Sequence, residues 1–424
     1  MSQSCDVTGP AIVPPSTEAM TEGSSPQKTW FTRAVLGIVL ATFFSDVGHE
    51  MVTAVLPLYL GSIGLGAAAL GVMEGLADLL FSLSKLAGGA VGHRAERKRP
   101  WATAGYLATT LGCAAMALVS SAPALAVLRG VAWFGRGFRS PLRDFLLADE
   151  VGPTHFGRAY GIERSADMIG AVAGPLLAVA LAAAGASFRT IILVSVLPAL
   201  LSVVAIFAMT RDRAADPAKE GKSAEAAQPR APLPRRFWLL LIGVLLFGLG
   251  DFSRSFLVLL AAKAAAPGEG TTSLAGGLTT AVLLYALHNA VSAIVAYPVG
   301  HLGDRYAKLK ILAVGYGLGV VTNLLLVVDH ASLAWLSVAM VLSGAYIAIE
   351  ETIEKATCAE ILPRAQRSLG LGILAAANAV GDMLSSVTVG LLLDAGKERL
   401  AFALPAAFGT AGLAWMVALA RAKR

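Results

Sequence analysis

Asp46, His49 and Glu50 lie within about one turn of each other in VLATFFSDVGHEM, a run that is otherwise almost wholly apolar. On a helix Asp46 and Glu50, four residues apart, share one face, with His49 alongside. Two carboxyls that close repel when both are charged, which suits a site that takes up and returns a proton or holds a cation. Asp251, in VLLFGLGDFSR, stands in an equally apolar run, with Arg254 three residues on. Those two can pair with each other or contact a solute together. His288 stands next to Asn289; the ordinary titration range of a histidine suits a proton relay, and a hydrogen-bonded core position fits it equally.

Two charged stripes accompany them. Arg136, Arg139 and Arg143 fall at helical spacing and form one basic face, while Glu350, Glu351 and Glu354 concentrate acid in another segment. An ionised side chain in hydrocarbon costs several kcal/mol, so each of these groups needs a partner or a water-filled cavity.

The elements that must position them are membrane helices. Hydrophobic residues are 56% of the 424, charged residues 15%, and the mean hydropathy is +0.68, more apolar surface than a soluble chain of this size needs. Twelve bilayer-length spans are expected, roughly at 34–60, 67–91, 101–120, 123–147, 158–183, 188–209, 237–262, 274–301, 309–328, 332–356, 367–393 and 400–420. They form two copies of one unit. Asp46 and Asp251 each lie near the middle of the first span of a set, and GGAVGHRAERK (Gly88 to Lys98) and PVGHLGDRYAK (Pro298 to Lys308) each close the second. The fold expected is therefore an all-α membrane protein, twelve transmembrane helices in two pseudo-symmetric six-helix halves. Aligning the copies sets Arg139 against Glu350 and Arg143 against Glu354, which predicts a charge clamp that closes the cytoplasmic side. Asp144, Glu163, Arg164 and Asp167 lie at similar depth and extend that network, and the glutamates have a second reading as a substrate or proton site.

The expected organisation is a disordered cytoplasmic tail over 1–32, helical halves over 33–209 and 237–420, a cytoplasmic linker over 210–236 and a short tail over 421–424. Basic residues crowd the second, eighth and tenth loops, the linker and the C-terminus, which places both termini in the cytoplasm of a cell with an inner membrane. The net charge of +6 thereby reads as topology and not as nucleic-acid binding. Cys5, Cys113 and Cys358 have no metal or disulfide spacing, and no cofactor or resident metal is expected. Partners are the bilayer, protons and a small-molecule or ion substrate. His49, Glu50, His288 and Glu350 leave open a divalent metal or metal-chelate cargo. EETIEK (Glu350 to Lys355) resembles the paired glutamates of membrane-embedded prenyl-protein proteases, with Lys355 where an arginine is expected. No HExxH or GxSxG element accompanies it, and the duplication speaks for a solute pathway instead of an enzyme.

From residue 34 to 420 the chain resembles a transporter of the major facilitator superfamily. The loop motif G-x-x-x-D-R-x-G-R-[RK] has a first copy in GAVGHRAERK, with His93 in place of the acid and Glu96 in place of the second glycine. The second copy, GHLGDRYAK, keeps Asp304 and Arg305. Span five carries GAVAGP (Gly170 to Pro175), similar to the glycine-proline motif of proton-coupled antiporters. The resemblance implies alternating access around a site bounded by spans one, four, seven and ten, with proton-coupled export of a small or toxic compound.

Overall fold

The computed structural model describes residues 30–64, 67–213, 232–265, 271–329 and 332–422. Most of the tail expected over 1–32 and of the linker expected over 210–236 lies outside these residues, as do Lys423 and Arg424. The described margins of both segments pack on the helices. Trp30 stacks on His155 and Tyr297, and the Thr32 hydroxyl donates to Glu150 at 2.7 Å. Asp212 accepts the backbone N–H groups of Lys98 and Arg99 at 2.7 and 2.9 Å.

The first half consists of α1 (Arg33–Ser62), α2 (Ala67–Arg94), α3 (Arg99–Met116), α4 (Ala122–Glu150), α5 (Phe156–Ala183) and a rod in two pieces, α6 (Phe188–Val194) and α7 (Val196–Met209). The second begins with a broken rod, α8 (Arg235–Gly248) and α9 (Ser255–Ala265), followed by α10 (Thr271–Arg305), α11 (Lys308–Val328), α12 (Leu333–Ile361), α13 (Arg367–Asp394) and α14 (Glu398–Arg421). These rods correspond one to one with the expected spans. Among the described residues, eight stretches are long and apolar enough to cross a bilayer by composition. The α4 rod falls short because it carries Arg129, Arg136, Arg139, Arg143 and Asp144, and the α8–α9 rod because it breaks. Span seven is thus not the continuous helix expected over 237–262: the segment from Leu249 to Arg254 leaves the helix and carries Asp251.

The duplication is visible in local chemistry. The helices α5 and α13 both end on a glycine with positive φ, Gly185 at 85° and Gly396 at 69°. Past each glycine the next N–H bonds back to a carbonyl five residues earlier, Ala186 to Leu181 and Lys397 to Leu392. That geometry satisfies carbonyls a helix end leaves open, and a side chain at the glycine would strain it.

Each half has its own apolar core, and the halves meet along α5 against α10 and α2 against α13. Small residues make the approach possible: a Cβ on Gly157 would run into the Gly300 carbonyl, and one on Gly300 into that of Gly157. Gly89 and Gly372 play the same part between α2 and α13. Both seams lie toward the ends of α2 and α10 that lead into the basic loops, so the molecule is closed at that end.

Candidate functional site

Between the halves lies a cavity of about 1100 Å³, lined by charged side chains of both. Its first wall is built by α1, α4 and α5. Gly170 and Gly174, the glycines of GAVAGP, let α1 lie directly on α5: a Cβ on them would stand 2.8 Å from the Phe43 carbonyl oxygen and 2.7 Å from that of Val47. This approach brings the acids of α1 beside Asp167. From α4, Arg136 reaches the gap between them, with Nη2 at 2.8 Å from Asp46 and 3.9 Å from Asp167, and Nη1 at 3.9 Å from Glu50. One guanidinium thus serves three carboxylates. The Arg136–Asp46 contact is an ion pair without hydrogen-bond alignment, and Asp46 is 1% exposed.

One turn along α4, Arg139 lies over the Tyr106 ring at 3.8 Å and donates to the Ser45 hydroxyl at 2.5 Å. Arg143 bridges Asp144 at 2.8 Å and Glu163 at 2.9 Å. His49 turns away from the cavity: its ring packs 3.8 Å from that of Trp133, and Nε2 comes 4.0 Å from Glu50.

The second wall is built by the break in span seven together with α10, α12 and α13. Unwinding frees backbone groups, and side chains take them up: Asn323 donates to the Gly250 carbonyl at 2.8 Å, and the Ser253 N–H donates to Ser386 at 2.9 Å. Asp251 receives the Tyr346 hydroxyl at 2.7 Å and Arg254 at 2.9 Å, the expected pair, though on the break and not on a helix. Glu354 accepts from Tyr316 at 2.5 Å and from Asn378 at 2.8 Å. Glu350, Asp382 and His288 face the same cavity, with His288 beside the Tyr285 ring.

The expected clamp between the two stripes is not made directly. Arg136, Arg139 and Arg143 bond within their own half, and so does Glu354. Other groups cross the interface. Arg164 holds Asp167 at 2.6 Å and, through the same nitrogen, Glu351 at 2.9 Å. Lys355 lies 3.7 to 3.9 Å from Asp144, Glu163 and Glu351. At the basic-loop end Asp304 accepts the N–H groups of Gly157 and Arg158 at 2.7 and 3.0 Å and the Arg158 side chain at 3.1 Å. A carboxylate there also meets the positive end of α5. Its counterpart His93 makes the mirror contact more weakly, Nδ1 to the Ala365 carbonyl at 3.0 Å. Arg364 pairs with Asp149, and Arg305 is exposed at the end of α10.

Asp382, Tyr346, Asn378, Arg158 and the Asp149–Arg364 pair were not singled out from the sequence. Asp382 carried a usable signal, a lone acid in an apolar span. Among the described residues no group of three or more His, Cys, Asp or Glu side chains could hold a metal ion, and His49 and His288 do not share the cavity. The metal reading therefore loses the convergence it required. Glu350 and Glu351 both line the cavity, and Glu351 also crosses to Arg164.

The profile of the Major Facilitator Superfamily matches residues 38–266 and 255–424. An uncharacterised protein of Mycobacterium tuberculosis is 26% identical over 380 residues, covering 86% of this chain and 87% of its own. The fold matches a human organic anion transporter at TM-score 0.69 and 15% identity, over 91% of this chain and 99% of that one. It also matches an outward-facing bacterial homologue of the iron transporter ferroportin at TM-score 0.71 and 14% identity, over 92% and 100%. The chain belongs to the Major Facilitator Superfamily and is a multi-pass membrane protein of the secondary-transporter class, not an enzyme.

Proposed function

We propose that the protein is a proton-coupled exporter of a small molecule in the cytoplasmic membrane, with both termini in the cytoplasm. The observation that carries this reading is the sharing of Arg136 among Asp46, Glu50 and Asp167, because Asp167 also holds the Arg164 that crosses to Glu351. Protonating Asp46 leaves Arg136 to Glu50 and Asp167. Asp167, drawn toward Arg136, loosens its hold on Arg164, and Arg164 is left to Glu351 in the other half. A proton on Asp46 therefore favours closure of the basic-loop end. By the positive-inside rule that end is cytoplasmic, so the proton is taken up facing outward. When the halves part at that end the proton leaves to the cytoplasm, and the deprotonated Asp46, holding Arg136 again, keeps the Arg164–Glu351 bond weak and the end open. A bias of about 30-fold per step needs only about 2 kcal/mol, within reach of one charge-assisted hydrogen bond.

Export is supported by the glycine-proline element. The GAVAGP glycines, similar to those of proton-coupled antiporters, are the surface on which the carboxylate helix α1 lies. The test is proton flux in proteoliposomes under an imposed pH gradient, with solutes added in turn to wild type and Asp46→Asn. Solute-triggered flux that disappears in the variant is expected. Flux indifferent to the substitution would remove Asp46 from the mechanism.

A further inference from the structure

Resting on the reading that the central cavity is the transport site, we infer that it takes a zwitterionic solute, whose anionic oxyacid group meets Arg139 and whose cationic nitrogen meets Glu350. Both residues line the cavity and both are almost fully buried, at 2% and 4% exposure. Each carries a polar atom without a hydrogen-bond partner, Nη1 of Arg139 and Oε2 of Glu350. The cavity's other arginines, Arg136, Arg143, Arg164 and Arg254, all have carboxylates within 4 Å. Among the described residues Arg139 has no carboxylate within 4 Å: it contacts the Ser45 hydroxyl and the Tyr106 ring, and Asp46 acts on it from farther away.

Across the cavity, Asp251 and Glu354 have donors, whereas among the described residues Glu350 has no donor and no ion pair within 4 Å, and the cation whose field it feels, Arg254, is already paired with Asp251. Lys85 does not fill that role: its amine lies over the Phe81 ring at 4.2 Å, and the acids whose fields it feels are Glu351 and Asp382.

Arg139 and Glu350 are repeat mates, so the pseudo-twofold sets them at equal depth on facing walls. A buried charge without a counter-charge is expensive, and two of opposite sign in one cavity are offset together by a solute carrying both complements. A solute with a single charge leaves the other side chain uncompensated, which discriminates against it.

The test is thermal stabilisation of the purified full-length protein by straight-chain ω-amino acids from glycine to 6-aminohexanoate. The series acts as a ruler for the gap, and each length is paired with its amide, a cation, and its N-acetyl form, an anion. The expected result is an upward shift at one or two lengths, with amide and N-acetyl forms binding about tenfold or more weakly. Glu350→Gln and Arg139→Gln should each remove the zwitterion's shift. If Arg139→Gln fails to fold, the three-way comparison on wild type still decides. Amides that stabilise as well as the zwitterions, or no shift at any length, would overturn the inference. Zwitterion binding without proton flux would overturn the coupling reading and keep this one, and flux driven by the amides alone would do the reverse.

Discussion

The two walls of the cavity descend from one duplicated unit yet manage charge differently. On the first, arginines dominate and each acid is held by ion pairs, three carboxylates around Arg136 and two around Arg143. On the second, acids dominate and are held largely by neutral donors, Tyr346, Tyr316 and Asn378. An ion-pair cluster rearranges whenever one member gains a proton, because the shared cation must redistribute. A carboxylate fixed by phenol and amide donors has no such partner to release. Duplication thus supplied one frame, and divergence gave one half a responsive network and the other a fixed acidic surface.

The comparison breaks most sharply at Arg136. Arg136→Gln strands the buried Asp46 and takes one of their partners from Glu50 and Asp167, and should cost roughly 3–5 kcal/mol in chemical unfolding, with part recovered by adding Asp46→Asn. Next come the two copies of the loop motif. Asp304→Ala removes three charge-assisted bonds across the closed end and should shift the halves apart by about 2 kcal/mol, read by the distance between spin labels on exposed Arg94 and Arg305. Tyr316→Phe deletes one neutral donor to Glu354 and should cost about 1 kcal/mol in the same unfolding assay. The smallest effect belongs to His93→Ala, about 0.5 kcal/mol by the spin-label assay, since its bond to the Ala365 carbonyl has no carboxylate charge behind it. Equal effects at Asp304 and His93 would mean that the two copies of the motif have not diverged in role.

The architecture was legible because a bilayer demands long apolar runs and the repeat of Asp46 with Asp251, and of the two loop motifs, marks the halves. The break in span seven was not read, although Gly248 and Gly250 flank its start, because hydropathy does not register unwinding. Charge pairing was harder still. Repeat alignment matched Arg139 with Glu350, but symmetry mates stand across the cavity and touch only close to the pseudo-twofold axis. The bonds that cross the interface join residues unrelated by the repeat, Arg164 with Glu351 and Arg158 with Asp304. Asp144, Glu163, Arg164 and Asp167 were placed in that network from depth alone, and the structure brings them into it.

The central claim is that a proton on Asp46 is felt as closure between the halves. Spin labels on exposed Arg94 and Arg305, equivalent positions at the basic-loop end, report that distance directly. Measured against pH in lipid nanodiscs, the closed population should rise as pH falls in wild type and stay high at every pH in Asp46→Asn. A variant whose closed population titrates as wild type does would contradict the account.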